Sequence, residues 1–316
     1  MPTAFLFPGQ GSQQVGMGKA LHDTFQDARD VFQEVDETLK ISLSRMMFEG
    51  PAEDLTLTAN AQPAIMAVSL AAMRVLQKQG GVKLPGAAQW VAGHSLGEYA
   101  ALAASGSFSL HDTTWLLRTR GEAMQSAVPV GIGSMAAILG LDLPEVEAIV
   151  QEAAQGEVCV CANDNSSGQV VISGHKAAVE RAMELAKAKG AKRALPLAVS
   201  APFHCPLMQP AAEIMRQALA TVMIRPPLSP CIANVTAQPV TDAETIRRLL
   251  VEQVTGMVRW RETMQFFAEA GVDTVVELGA GAVLTGLAKR AIDGVRTVNL
   301  HTPQEIEAFL EVPAHV

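Results

Sequence analysis

Residues 90–104 constrain the chain most. An apolar segment, Trp90-Val91-Ala92, runs into Gly93-His94-Ser95-Leu96-Gly97 and then into an alanine-rich stretch from Tyr99 to Ala104. Strand, tight turn and helix in that order put a serine at the apex of the turn. The glycines on either side remove the Cβ atoms that would clash as the chain reverses. The hydroxyl then stands at a helix N-terminus, where unpaired N–H groups and the positive end of the dipole favour developing negative charge. Short Gly-x-Ser-x-Gly strings also arise by chance. The strand before this one and the helix after it favour Ser95 as a nucleophile.

The flanking chain reads as α/β. Thr3 to Phe7 is a short apolar run, expected as a central buried strand, and it ends in Pro8-Gly9-Gln10-Gly11-Ser12-Gln13. Two glycines bracket Gln10, which leaves two readings open: backbone in close approach to another element, or an ordinary loop with surface glutamines. Residues 19–39 read as one amphipathic helix. Pro63 reads as the first turn of a buried helix over Ala64–Gln77, where its missing N–H costs nothing. Ser109 can cap a helix running to Ala127, on which Leu110, Leu117 and Met124 recur every seven residues. Arg120 falls inside that stripe. Such a cation either snorkels to the surface or turns into a cleft to await a carboxylate.

The pattern changes at Pro129-Val130-Gly131-Ile132-Gly133. Strands at 134–139, 157–162, 169–173 and 192–199, with helices at 144–154 and 176–189, give βαββαβ, the split pattern of a ferredoxin-like unit. It lies between α/β segments, so residues 128–197 read as an inserted subdomain of a large domain formed by 1–127 and 198–316. The basic cluster Lys187, Lys189, Lys192 and Arg193 at its end is either a solvated helix terminus or a phosphate site. After it, His204 lies in the proline-bounded loop Ser200-Ala201-Pro202-Phe203-His204-Cys205, which leaves two readings: the place where an α/β enzyme carries its base, or a structural histidine, the commoner role of a lone one. Gln253 falls at the end of a helix over 242–255. Gly279-x-Gly281 lacks the full spacing of a dinucleotide fingerprint and comes too late in the chain to be one.

Composition narrows the function. With 49% hydrophobic and 18% charged residues the chain suits a cytoplasmic globular enzyme. The formal net charge of −8 argues against a general nucleic-acid binder. No apolar run is long enough for a membrane span, and the amino terminus has no basic region followed by a long apolar run, so no signal peptide is expected. Cys159, Cys161, Cys205 and Cys231 form no ligand spacing, and reduced buried thiols are expected rather than zinc.

Phe-Pro-Gly-Gln-Gly-Ser-Gln at 7–13, Gly-His-Ser-Leu-Gly-Glu-Tyr at 93–99, the helix bearing Arg120 and Pro202-Phe203-His204 form a specific set. On these motifs the chain resembles, over its whole length, the malonyl-CoA–acyl carrier protein transacylases of bacterial fatty acid synthesis. The resemblance implies an α/β-hydrolase-like large domain with a mainly parallel sheet and the inserted ferredoxin-like subdomain. It implies Ser95 as nucleophile, His204 as base and the Gln253 carbonyl as the group orienting that base. It further implies backbone N–H donors at Gln10 and Leu96 for the oxyanion, and Arg120 as the guanidinium for the malonyl carboxylate. Asn165 and Arg193 match positions near coenzyme A, His94 a supporting histidine, and Phe203 a malonyl-selecting position. Malonyl-CoA is then a substrate, no cofactor or metal is needed, the partner is acyl carrier protein, and a monomer is expected. The alternatives are a transacylase subunit for malonate decarboxylase or a polyketide synthase, and a serine hydrolase or thioesterase. A hydrolase would add an Asp or Glu to the triad; none lies in the His204 loop, and Asp164 is the candidate that remains.

Overall fold

A computed structural model describes residues 2–199 and 201–311, so Ser200, with which the histidine loop opens, and the outermost ends of the 1–127 and 198–316 segments lie outside the described residues. The strands are β1 (Thr3–Phe7), β2 (Trp90–Gly93), β3 (Gly133–Leu139), β4 (Cys159–Ser166), β5 (Gln169–His175), β6 (Arg193–Pro196), β7 (Cys231–Ile232), β8 (Pro239–Val240), β9 (Thr274–Leu278) and β10 (Arg296–Leu300). They form two sheets. The larger has the order β10-β9-β1-β2-β7-β8 and is parallel except at its β7–β8 edge. The smaller has the order β4-β5-β3-β6 and is antiparallel throughout.

β1 is buried at every residue because strands flank it on both sides, which is why its sequence is a continuous apolar run. Its register with β2 pairs Phe7 with Gly93. The Pro8–Gln13 loop and the serine turn therefore leave the sheet side by side at its carboxyl edge, where open parallel sheets gather ligands.

Two helices differ from the sequence expectation. The stretch expected as one helix over 19–39 is two, Lys19–Thr24 and Gln26–Leu39, with Phe25 extended between them and its ring buried. The helix expected to start at Pro63 starts earlier, as Thr58–Gln79 with Pro63 inside it. Proline there cannot donate to the Ala59 carbonyl. That oxygen accepts instead from Arg118 Nη1 at 3.3 Å, so a neighbouring helix makes good the missing bond.

Along the smaller sheet the elements run strand, helix, strand, strand, helix, strand, with helices Leu143–Ala154 and Lys176–Ala188. Ile138, Val146, Ile149, Ile172 and Val179 centre a core separate from the one beneath the larger sheet. β4 runs to Ser166 rather than stopping at Ala162, because its far end is gripped from outside. Asp164 N–H donates to the Val258 carbonyl at 2.9 Å, Val258 N–H donates to the Ala162 carbonyl at 2.9 Å, and Arg261 pairs with Asp164 at 2.8 Å. β6 stops at Pro196, short of the expected Val199, and Leu197–Val199 line a cleft instead.

Candidate active site

Ser95 sits at φ 54°, ψ −111°, a backbone region that L-residues enter only under constraint. The constraint is steric. An ideal Cβ on Gly93 would lie 1.9 Å from the Gly97 carbonyl oxygen, and one on Gly97 would lie 2.2 Å from the Phe7 oxygen. Neither position can carry a side chain, so the glycine spacing in the sequence is dictated by backbone packed against backbone. His204 is likewise held at positive φ, 56°.

The two side chains meet. Ser95 Oγ–H donates to His204 Nε2 at 2.8 Å, and His204 Nδ1–H donates to the backbone carbonyl of Gln253 at 2.8 Å. That carbonyl is free to accept because helix Ala243–Thr255 ends two residues later, leaving its last carbonyls without intrahelical partners. Burial of the ring and the nearby positive Arg120 push His204 down to about 3, against the Gln253 bond that raises it. The imidazole is therefore neutral at pH 7, with Nε2 able to take a proton. Asp164, the candidate triad acid, accepts from Arg261 Nε and is not the partner of His204.

Among the described residues neither the Gln10 nor the Leu96 backbone N–H has an intramolecular acceptor. Leu96 is the first residue of helix Leu96–Ala104, and Gln10 lies in the neighbouring loop, with its side-chain amide turned to Thr58 Oγ1 at 3.2 Å. Both N–H groups are thus open to a developing oxyanion.

Arg120 is 1% exposed and turned inward, so of the two sequence readings the cleft holds. Its Nη2 donates to Ser95 Oγ at 3.1 Å and to Gln253 Oε1 at 2.9 Å, while Nη1 donates to Gln62 Oε1 at 2.7 Å. Among the described residues Nε has no partner, and the guanidinium carbon stands 5.7 Å from the Tyr99 ring centroid. All its hydrogen-bond acceptors are neutral oxygens. A cavity of about 290 Å³ opens in front of it, lined by Gln10, His94, Ser95, Phe203 and His204 among others.

The remaining expected residues divide. Phe203 is on the cavity wall. His94 Nε2–H donates to Asn165 Oδ1 at 2.9 Å, and burial lowers its pKa. Asn165 faces an adjoining pocket of about 180 Å³, shared with Gln10 and His94. Arg193 is not brought to the cavity; it begins β6 on the exposed surface. Of the basic cluster around it, Lys187 is paired to Glu184 and Lys189 to Glu152.

Sequence reasoning missed Gln62, Asn234 and Glu98. Asn234 Oδ1 accepts from the Ser95 N–H at 2.8 Å and its Nδ2 donates to the Gly93 carbonyl at 2.8 Å, tying down the serine turn. Glu98 is buried, and desolvation raises its carboxyl to about 7 against hydrogen bonds from Gln253 and the Asn234 backbone. Its place in the Gly-Glu-Tyr string was the available signal; Gln62 and Asn234 had none. Among the described residues no group of three or more His, Cys, Asp or Glu is placed to hold a metal ion, and no helix is long and apolar enough to cross a membrane.

Comparison with known proteins agrees with this geometry. The acyl transferase domain family matches residues 4–309. The malonyl CoA-acyl carrier protein transacylase of Bacillus subtilis strain 168 is 45% identical over 309 residues, 98% of this chain and 96% of its own length. The crystal structure of an acyl-carrier-protein-S-malonyltransferase from Bartonella henselae superposes with a TM-score of 0.96 at 56% identity, covering 99% of this chain and 100% of that one. A malonyl-transacylase in complex with its type II PKS acyl-carrier protein superposes with a TM-score of 0.95 at 42% identity, covering 98% of this chain and 99% of that one. A serine, a neutral histidine held by a carbonyl, and a buried arginine on a fold shared end to end with these proteins lead to one assignment: the chain belongs to the malonyl-CoA–acyl carrier protein transacylase family of acyl transferase domains.

Proposed function

We propose that the chain moves a malonyl group from malonyl-CoA to the phosphopantetheine thiol of an acyl carrier protein, supplying fatty acid synthesis through a ping-pong reaction. One observation carries the choice of acyl group: the buried Arg120 guanidinium lies 3.1 Å from the nucleophilic oxygen with no carboxylate bonded to it. A malonyl carboxylate would supply the missing anion through two parallel hydrogen bonds.

In the first half-reaction Ser95 Oγ attacks the thioester carbonyl and its proton passes to His204 Nε2. The N–H groups of Gln10 and Leu96 receive the oxyanion; one such donor is worth about 3–4 kcal/mol of transition-state stabilisation. The C–S bond then breaks, the coenzyme A sulfur takes the proton from His204, and a malonyl-serine ester remains. In the second half-reaction the carrier thiol gives its proton to His204 as it attacks the ester, and Ser95 Oγ leaves with that proton. A neutral carbonyl behind His204 fixes its tautomer without adding a negative charge to a site that admits an anion.

The larger sheet and its helices, 1–127 and 198–316, act as an α/β-hydrolase-like body, and 128–197 as a ferredoxin-like subdomain closing over the pantetheine arm. Phe203 limits the acyl pocket, while His94 and Asn165 flank the arm. Arg193 meets the phosphates outside the cavity: it precedes the cavity-lining Leu197 by four residues, ~13 Å along an extended chain. The enzyme works in the cytoplasm as a monomer, with no cofactor. The similarity to a transacylase bound to a type II PKS carrier supports a second reading, in which the acceptor belongs to such a synthase. Incubation with malonyl-CoA should add one malonyl group to Ser95, and fatty-acid or PKS carrier should then discharge it. Ser95→Ala should take up none; labelling that persists there would remove Ser95 as the nucleophile.

A further inference from the structure

Arg120 is held between two side-chain amides, and the two are pinned with unequal firmness. The Gln62 oxygen accepts from Nη1 at 2.7 Å, but among the described residues the Gln62 nitrogen faces only the Met124 sulfur at 3.7 Å, a weak acceptor. The Gln253 oxygen accepts from Nη2 at 2.9 Å, and its nitrogen faces Glu98 Oε2 at 2.7 Å, the Ser95 carbonyl at 2.9 Å and Asn234 Oδ1 at 3.3 Å. An amide turned over would set its NH₂ against the guanidinium, donor against donor, and its oxygen against three acceptors. Of those three, Asn234 Oδ1 is already occupied by the Ser95 N–H, and the Ser95 carbonyl is neutral. Glu98 is the closest and the only carboxylate, and it is 2% exposed. Its Oε2 accepts from both the Gln253 amide and the Asn234 N–H, so that oxygen remains an acceptor even when the other carries the proton.

We infer that Glu98 is a specificity-determining positioning residue: it holds the Gln253 amide with its oxygen toward Arg120, and so keeps the guanidinium aligned beside Ser95 for the carboxylate of the acyl group. This rests on Arg120 reading that carboxylate, as proposed above. Glu98 bonds to neither Ser95 Oγ nor His204, its bond from the Asn234 N–H is the longer at 3.2 Å while Asn234 grips the serine turn through its side chain, and the His204 tautomer depends on the Gln253 backbone rather than its side chain. Loss of Glu98 therefore weakens discrimination between acyl groups more than it weakens acyl transfer. The unequal pinning also assigns the giving side. Gln62 can turn away when a carboxylate arrives, while Gln253 stays.

The test is kcat/KM for malonyl-CoA and acetyl-CoA, with carrier protein as acceptor, in the parent, E98M, E98Q, Q253M, E98M/Q253M and R120A. E98M should lower the malonyl-to-acetyl ratio at least tenfold, with the acetyl value changed by less than about threefold. E98Q, which keeps one acceptor oxygen, should recover most of the ratio. Because Glu98 and Gln253 act in series, the double variant should fall no further in ratio than Q253M alone. An unchanged ratio in E98M, an equal loss on both substrates, or multiplied losses in the double variant would overturn the inference. Should E98M not fold, Q253M decides from the other end of the link, and an unchanged ratio there overturns it as well. R120A separates the two levels. A collapsed ratio in R120A with an intact one in E98M sinks only the role of Glu98, whereas an intact ratio in R120A removes the carboxylate reading beneath it.

Discussion

Two residues of the site hold charge states that burial decides. His204 is buried neutral, with its pKa pushed down to about 3 from an unfolded value near 6.5. Below pH 6.5 the unfolded chain binds a proton at this ring and the folded chain does not, so its contribution to stability is present above 6.5 and lost as pH falls toward 3. His204→Gln has no such proton to bind. The stability gap between parent and variant should therefore shrink by about 2 kcal/mol between pH 7 and pH 5, measurable by urea unfolding at both; a constant gap would mean that the ring carries its proton when folded. Arg120 has the opposite difficulty, a charge kept in a buried place among neutral acceptors. Arg120→Ala should lower kcat/KM for malonyl-CoA by about a hundredfold or more while acetyl-CoA is spared, since an unmatched buried charge costs roughly 3–5 kcal/mol. Arg120→Lys should fall between, having the charge without the fork. An equal loss on both substrates would make Arg120 a support of the cleft. That Ser95, His204 and Arg120 come together was legible in the sequence, Ser95 from its glycine-bracketed turn and the other two once the four motifs were taken as one set. Gln62 and Asn234 were not, because each matters through partners more than 50 residues away.

At the scale of elements, the site depends on how closely two helices approach. Gly121, next to Arg120, lies against the backbone of helix Thr58–Gln79: an ideal Cβ there would be 2.6 Å from both Ala59 Cα and the Thr58 oxygen. In an open helix, glycine to alanine gains up to about 1 kcal/mol of propensity. Here the contact reverses the sign, and overpacking of this kind costs about 1–3 kcal/mol. Gly121→Ala should thus lower the melting temperature and, by moving Arg120 away from Gln62, cut malonyl transfer more than acetyl transfer. A raised melting temperature would show that the helices separate freely. A second contact between these two helices explains why the sequence pattern points to a later start for the Thr58–Gln79 helix. Pro63 looks like a first-turn proline because an interior one forfeits a hydrogen bond, and nothing local announces that Arg118 from the next helix supplies it. The strand order βαββαβ, by contrast, was readable, since each element there has its own period and punctuation. Its edges moved, most at β4 and β6, where contacts from beyond the small sheet override local pattern.

At the scale of the whole molecule, the two sheets are joined by the grip of Val258 and Arg261 on β4. Asp164 is 1% exposed and Arg261 34%, so the pair is worth less than a fully buried one but more than a surface one. Arg261→Ala should cost about 1–3 kcal/mol, the range for stranding a buried polar group. Because Asn163 in the same strand lines the cavity, KM for malonyl-CoA should rise several-fold with a smaller change in kcat. Thermal melts and steady-state kinetics on one preparation test both, and an unchanged KM would show that the small sheet is held elsewhere. The bond between His204 and the Gln253 carbonyl has a consequence on a different axis, that of heredity. Every amino acid brings the same main-chain oxygen, so no missense change at codon 253 deletes the atom that orients the base. A scan of single substitutions would score position 253 by what its side chain does for Arg120 and Ser95, and would credit the orientation of the base to no residue. Selection reaches that function through the residues that end the helix and those that hold His204, so its mutational target lies around Thr255 and Gly256 and in the histidine loop rather than at position 253 itself.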